Sequence, residues 1–406
     1  MNYMEEYNRW LESDIVSEED KEILRNYSDA EIEEFFDSPL NFGTAGIRKK
    51  MFLGSGALNK YTVAHITRGV CDFVLSQGKA NPSVVIVYDS RNNSKEFAEL
   101  TSRVLAAKGI HVFLYEDIRP TPELSFAVRY SQSAAGINIT ASHNTKEYNG
   151  YKVYGPDGIQ LSPEEAAKVA AVIDGNDVLN PPEEMDFDKA VESGTIELIN
   201  GYFDNIYLAR VLQQSLMSED VREKAKDMKV VYTAFHGTGS VFVPRVLERD
   251  GFEKVICEPN QIIPDGDFPT VKSPNPETKE SFKLAIELAE KEGSDLVIGT
   301  DPDGDRCGVA VRGSNGFEVL TGNQVGILLL DYIIKSREAS GGIPERNDYL
   351  TAINARDKDA ILASMLVAEA ACYHMCQGKT LLEALVDAEK TVSELESEIN
   401  SWGIIN

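Results

Sequence analysis

Three aspartates at alternate positions, in Asp301-Pro-Asp303-Gly-Asp305-Arg306, put hard oxygen donors on one loop, a set that suits magnesium better than zinc. A calcium EF-hand loop starting at Asp301 would need glycine sixth and glutamate twelfth, where this chain has Arg306 and Arg312. Carboxylates this close repel unless a cation offsets them. A second element of chemistry is Ser142, which follows the apolar run Gly136 to Thr140 and precedes His143. A hydroxyl on a loop at a strand's end is exposed for nucleophilic work. Magnesium would withdraw charge from a phosphoryl group carried by Ser142, and a phosphoserine oxygen would complete the metal's coordination. His143 is placed to orient or exchange a proton, and Arg48, Lys152 and Arg306 supply positive charge for a sugar phosphate.

That positive charge has to be local. The 406 residues carry a formal charge of -26, which argues against nucleic acid or an anionic membrane as partner. The five cysteines include no C-x-x-C pair, and their spacing points to reduced, mostly buried thiols. The first residues lack a basic segment followed by an apolar one, and no run approaches ~18 apolar residues, so a cytoplasmic protein is expected.

The elements that must position these groups follow from periodicity. Ser17 and Ser28 cap short helices in an N-terminal layer over residues 4 to 37. Helical and strand patterns then alternate: helix from Asn59, strand Val84 to Tyr88, helix Ser94 to Lys108, strand Ile110 to Tyr115, helix Thr121 to Ser131, strand Gly136 to Thr140. Asp89-Ser-Arg91 and Arg119-Pro-Thr-Pro122 punctuate strand ends, where open α/β sheets gather ligands. A second round gives strand Lys229 to Thr233, ending in Phe235-His-Gly-Thr-Gly239, and strand Asp295 to Gly299, which leads into the aspartates. The fold class is α/β, with tandem mixed-sheet α/β/α domains over residues 1–195 and 196–320 and a mainly helical region over 321–406. In that region helices are expected from Asn323 to Arg337 and Asp357 to Cys376, with a short one from Thr380 and a strand over Tyr349 to Ile353.

Phe42-Gly-Thr-Ala-Gly-Ile-Arg48, Thr140-Ala-Ser-His-Asn144 with Lys146-Glu-Tyr-Asn-Gly-Tyr-Lys152, Phe235-His-Gly-Thr-Gly239 and Asp301-Pro-Asp-Gly-Asp-Arg306 together resemble the α-D-phosphohexomutase superfamily, nearest its bacterial phosphoglucomutase and phosphopentomutase-like branch. The resemblance implies a phosphoserine at Ser142, magnesium held by it with Asp301, Asp303 and Asp305, and substrate contacts from Arg306 and Lys358. It also implies acid/base or phosphoryl-stabilising roles for Arg48, His143 and Lys152, and a hexose 1,6-bisphosphate as activator and intermediate. The expected reaction interconverts glucose 1-phosphate and glucose 6-phosphate; phosphomannomutase or phosphopentomutase activity, or a non-catalytic phosphosugar-binding remnant, are the other readings.

The chain departs from the family pattern after about residue 330. A Gly-Glu-Glu-Ser-type sugar-reading loop and an Arg-x-Ser-Gly-Thr-type phosphate clamp are not found, and the sequence jumps across a stretch between about Ile343 and Tyr349. Contacts at the remote end of a substrate hold the reacting end in place. Full mutase turnover is therefore expected to be impaired, and the apolar faces of Ile327 to Ile334 and Ile361 to Ala371 would need cover from a partner copy. In a coupled assay, this chain alone is expected to convert glucose 1-phosphate more slowly than a relative that carries the clamp.

Overall fold

A computed structural model describes residues 2–341 and 355–401. They form two compact units, one holding residues 2–205 with 265–267 and 355–358, the other 206–264, 268–341 and 359–401. The jump near 343–349, the strand over Tyr349 to Ile353 and the apolar tail residues Trp402, Ile404 and Ile405 lie outside the described residues.

The first unit is built on a six-stranded mixed sheet of β1 (Ile47–Lys50), β2 (Ser83–Tyr88), β3 (His111–Tyr115), β4 (Ala135–Ile139), β5 (Tyr148–Tyr154) and β6 (Ile196–Ile199), in the order β1-β5-β4-β2-β3-β6. β2, β3, β4 and β6 run parallel, while β5 is antiparallel to both β4 and β1. In β2 the continuous apolar run serves two faces: Val84 and Ile86 join the core with helices Lys60–Ser76 and Ser94–Ala107, and Val85 and Val87 pack under helix Thr121–Tyr130. β6 is an edge strand of this sheet, so the boundary expected near residue 195 falls ten residues later, after Asn205.

The N-terminal layer has its own core of Trp10, Leu24, Ile32, Phe35 and Phe36. Its three helices, Tyr3–Glu12, Glu18–Arg25 and Asp29–Phe36, carry side-chain caps at Asn2, Ser17 and Ser28. The motif-bearing stretch Tyr148–Tyr154 is strand β5, every residue after Tyr148 being buried.

The second unit carries β7 (Lys229–Thr233), β8 (Lys254–Cys257), β9 (Leu296–Thr300), β10 (Cys307–Gly313) and β11 (Gly316–Leu320) in the order β11-β10-β9-β7-β8. The β10–β11 hairpin does not announce itself in the sequence, because glycines at 308, 313 and 316 interrupt the alternation that marks a strand. Helix Lys283–Glu292 covers one face with Val297 and Phe282. Helix Ala360–Cys376 packs on β9 and β10 and against helices Glu219–Ala225 and Val243–Asp250.

That packing corrects one expectation. The face of Ile361 to Ala371 needs no partner copy, since Ile361, Met365 and Ala368 are buried inside the unit. Helix Gly322–Ala339 also buries Val325, Leu328 and Tyr332, leaving Leu330 and Ile334 exposed at 56% and 43%. The short helix expected from Thr380 runs instead without a break from Leu381 to Ser401. Among the described residues no single helix is long and apolar enough to cross a membrane.

Helix Ala360–Cys376 is clasped by a buried carboxyl pair. Glu369 Oε2 accepts hydrogen bonds from Tyr332 Oη at 2.7 Å and from the Leu216 amide at 2.9 Å, and the Asp250 carboxyl is its charged neighbour. Burial, with the Asp250 charge beside it, pushes Glu369 up to about 8, and burial raises Asp250 as well. Because Glu369 titrates higher folded than unfolded, the folded state holds a proton that the unfolded chain releases between the ordinary glutamate range and about pH 8. Stability falls as pH rises across that window, at up to about 1.4 kcal/mol per pH unit for one proton. Denaturant unfolding from pH 5 to 9 should show this slope, and Glu369→Gln should flatten it.

Candidate active site

In the first unit Ser142 lies just past the carboxyl end of β4, 1% exposed and at φ +53°, a left-handed conformation that is costly for a residue with a side chain. Its Oγ is 3.2 Å from His143 Nδ1. The peptide groups on both sides of this residue are pinned. The Ser142 amide donates to Thr140 Oγ1 at 2.8 Å, and Thr140 Oγ1 in turn donates to Asp89 Oδ2 at 2.6 Å. The Ser142 carbonyl accepts from Arg91 Nη2 at 2.6 Å.

Arg91 and Asp89 have fully buried side chains 3.2 Å apart. Arg91 also donates to the carbonyls of Asn144 at 2.6 Å, Thr145 at 2.9 Å and Tyr148 at 3.0 Å, so one guanidinium spans the whole turn from β4 to β5. Asp89 Oδ1 accepts from the Arg91 amide at 3.0 Å and Ser94 Oγ at 2.8 Å. Burial pushes the Asp89 carboxyl up and the Arg91 charge opposes the shift.

The sequence flagged the Asp89-Ser-Arg91 strand end as part of a ligand site. Its work is the support of the serine loop. A charged pair directly after a fully apolar strand is the signal that could have shown it, since such a pair is buried only when it is well satisfied. Arg119, at the neighbouring strand end, forms a bidentate pair with Asp204 at 3.0 Å and 3.0 Å within the same unit.

Arg48 is exposed on β1 opposite Gly150 of β5, with Nη1 3.5 Å from Asn144 Oδ1. The strands come this close because residues 46 and 150 lack a Cβ: one at Gly46, itself at φ +73°, would stand 2.1 Å from the Tyr151 carbonyl, and one at Gly150 would stand 2.4 Å from that of Thr140. The Gly43 to Gly46 segment is thus a turn (amide of Gly46 to carbonyl of Gly43, 2.9 Å) that lets β1 lie against β5. Lys152 is 1% exposed on β5, paired in register with Asn138. Lys358 is exposed in the segment before helix Ala360–Cys376.

In the second unit Asp301, Asp303 and Asp305 follow β9, exposed by 0%, 0% and 4%, and one carboxylate oxygen from each lies within 4.8 Å of the others. Burial, with Asp303 and Asp305 beside it, drives the Asp301 carboxyl well above its usual range, the signature of a cluster short of positive charge. Asp301 Oδ1 accepts from the amides of Asp305 at 3.1 Å and Arg306 at 2.9 Å, which fixes the turn. Three hard oxygen donors with converging carboxylates fit a magnesium ion. Arg306 lies beside them, 3.8 Å from Asp305 and 3.8 Å from Glu277.

The Phe235–Gly239 loop, at the end of the adjacent parallel strand β7, interlocks with the acidic loop. The Thr238 amide donates to the Pro302 carbonyl at 2.8 Å, and His236 bonds the Ile263 carbonyl and Thr270 Oγ1 through its two ring nitrogens, at 2.9 Å and 2.8 Å. A Cβ at Gly237 would sit 2.3 Å from Pro302 Cα. Backbone cannot yield as a side chain can, so Gly237→Ala must displace the turn between Asp301 and Asp303. It is expected to cost about 1–3 kcal/mol of stability and to weaken divalent-cation binding about tenfold. Thermal unfolding and a manganese titration would check both.

Residues 39–179 match the family profile described as phosphoglucomutase/phosphomannomutase, alpha/beta/alpha domain I, and residues 205–315 match domain II of the same family. The chain is 38% identical over 400 residues to a phosphoglucomutase of Staphylococcus epidermidis, covering 97% of this chain and 68% of that protein. It is 40% identical over 324 residues to the phosphoglucomutase of Staphylococcus haemolyticus, covering 78% of this chain and 57% of that one. A Thermus thermophilus protein, provisionally assigned as a phosphomannomutase, has the same fold at a TM-score of 0.68 and 22% identity, over 87% of this chain and 84% of its own.

Proposed function

The chain belongs to the phosphoglucomutase/phosphomannomutase family, and from that membership we propose that it moves phosphoryl groups on hexose phosphates through Ser142, glucose 1-phosphate and glucose 6-phosphate being the preferred pair. It is an enzyme of the isomerase class. The observation that carries the reading is Ser142 itself, a serine locked in a left-handed conformation at a strand's carboxyl end with His143 Nδ1 at 3.2 Å. Glucose is favoured because the relatives that match at 38% and 40% identity are phosphoglucomutases.

In the first half-reaction the bond between phosphorus and Ser142 Oγ breaks, a bond from phosphorus to the free sugar hydroxyl forms, and the hydroxyl's proton passes to a base. His143 can exchange that proton with the departing serine oxygen. In the second, the sugar's other phosphoryl returns to Ser142 and the isomeric monophosphate leaves. The bisphosphate formed between the two steps also primes Ser142 when added as activator. Arg48 and Lys152 supply the positive charge that an acidic protein otherwise withholds from a phosphate, and Arg306 and Lys358 serve the substrate. Asp301, Asp303 and Asp305 would hold magnesium, which supplies charge withdrawal from the transferring phosphoryl.

The test is the mass of the intact protein. Incubation with glucose 1,6-bisphosphate and magnesium should add about 80 Da, at Ser142, and glucose 6-phosphate should remove it. Ser142→Ala should stay unmodified. A wild-type chain that never gains this mass is not a phosphotransferase of this kind.

A further inference from the structure

A left-handed backbone at a residue with a Cβ persists only where its surroundings over-determine it. At Ser142 two independent hydrogen bonds do so, one on each flanking peptide: the amide to Thr140 Oγ1 at 2.8 Å, and the carbonyl from Arg91 Nη2 at 2.6 Å. Both lead to the same buried pair, because Thr140 Oγ1 donates to Asp89 at 2.6 Å and Arg91 lies 3.2 Å from Asp89. The two terminal nitrogens of Arg91 reach four carbonyls, all between Ser142 and Tyr148.

We propose that Arg91, with Asp89 and Thr140, is a positioning residue for phosphoryl transfer: it sets the angle at which Ser142 Oγ leaves the loop, without touching the substrate. The proposal rests on the reading of Ser142 as the phosphoryl carrier. A lysine has one ammonium where arginine has a planar fork, and cannot bridge carbonyls spread over the turn. Loss of the clasp should therefore slow the chemical step and leave donor affinity and metal binding nearly intact, since those depend on other residues.

The experiment compares wild type with Arg91→Lys, Arg91→Met and Thr140→Val, each as the full chain. The rate of mass gain from glucose 1,6-bisphosphate is followed at saturating and limiting concentration, beside a manganese titration and a thermal unfolding curve. The maximal transfer rate should fall about 10²-fold in Arg91→Met and about tenfold in Thr140→Val, with partial recovery in Arg91→Lys. The KM for the bisphosphate and the manganese affinity should stay within about threefold of wild type. The phosphorus-31 resonance of the phosphoserine should shift or broaden in the variants, which a purely structural loss of folded protein would not produce.

A folded Arg91→Met protein that transfers at the wild-type rate overturns the proposal. If that variant does not fold, Thr140→Val decides: it removes one pin without leaving a charge unpaired, and an unchanged rate overturns the proposal equally. Wild-type Ser142 that takes no phosphoryl overturns the phosphotransfer reading itself, a different result from variants that match an active wild type.

Discussion

A guanidinium with no exposed atom imposes strict terms on everything around it. Arg91 has five N–H donors and stays charged at any pH the protein meets, so taking it out of water is tolerable only where acceptors converge. Asp89 supplies the counter-charge, and four carbonyls of the turn between β4 and β5 supply the rest. Those carbonyls lie between Ser142 and Tyr148, and the first of them belongs to the residue held in a left-handed conformation. The serine's left-handed backbone and the satisfaction of a buried charge thus meet in one hydrogen bond, from Arg91 to the Ser142 carbonyl. The glycines at 46 and 150 serve the same turn from the other side by letting β1 approach β5 without a Cβ in the way.

The second unit sets the opposite electrostatic problem and solves it with the same local means. Three carboxylates are taken out of water at the end of β9, and backbone amides of their own turn meet part of the need. The turn is held by close packing, with Gly237 against the Pro302 backbone and Gly239 against the Thr300 and Tyr232 side chains. Each unit has its own sheet and its own core, and each presents its polar loops at the carboxyl ends of parallel strands. One holds a hydroxyl and basic groups, the other a cluster that calls for a cation.

The C-terminal helices show how a chain that spans about two-thirds of its Staphylococcus epidermidis relative still completes a core. Helix Ala360–Cys376 covers β9 and β10, its Ala360 amide reaches the Gly304 carbonyl of the acidic loop at 3.2 Å, and Asp359 caps it through the amides of Ile361 and Leu362. The cost of that arrangement is the Glu369 and Asp250 pair, two buried acids raised by burial, with Glu369 accepting from Tyr332. The helix therefore supports the acidic loop from below while tying its own seat to pH.

By itself the sequence determined the α/β class and most strand and helix positions before residue 300, and it marked the polar strand-end loops of each unit. These rest on local signals: apolar runs buried on two faces, serine caps, and polar groups at strand ends. The acidic cluster was legible because three aspartates fall within five residues. Tertiary structure decided what depends on contacts far apart in the chain. Arg91 was visible as a strand-end charge, but that it spans the turn some fifty residues later depends on β2 and β4 being neighbours. Arg119 looked the same in sequence and pairs instead with Asp204, because each buried charge goes to the acceptors that packing brings within reach. The glycines of the Phe235–Gly239 loop, which the sequence showed only as a motif at a strand's end, are contact points for Pro302, Thr300 and Tyr232. Residue types and spacing can name a chemistry; which buried charge holds which loop is settled only when the sheet is assembled.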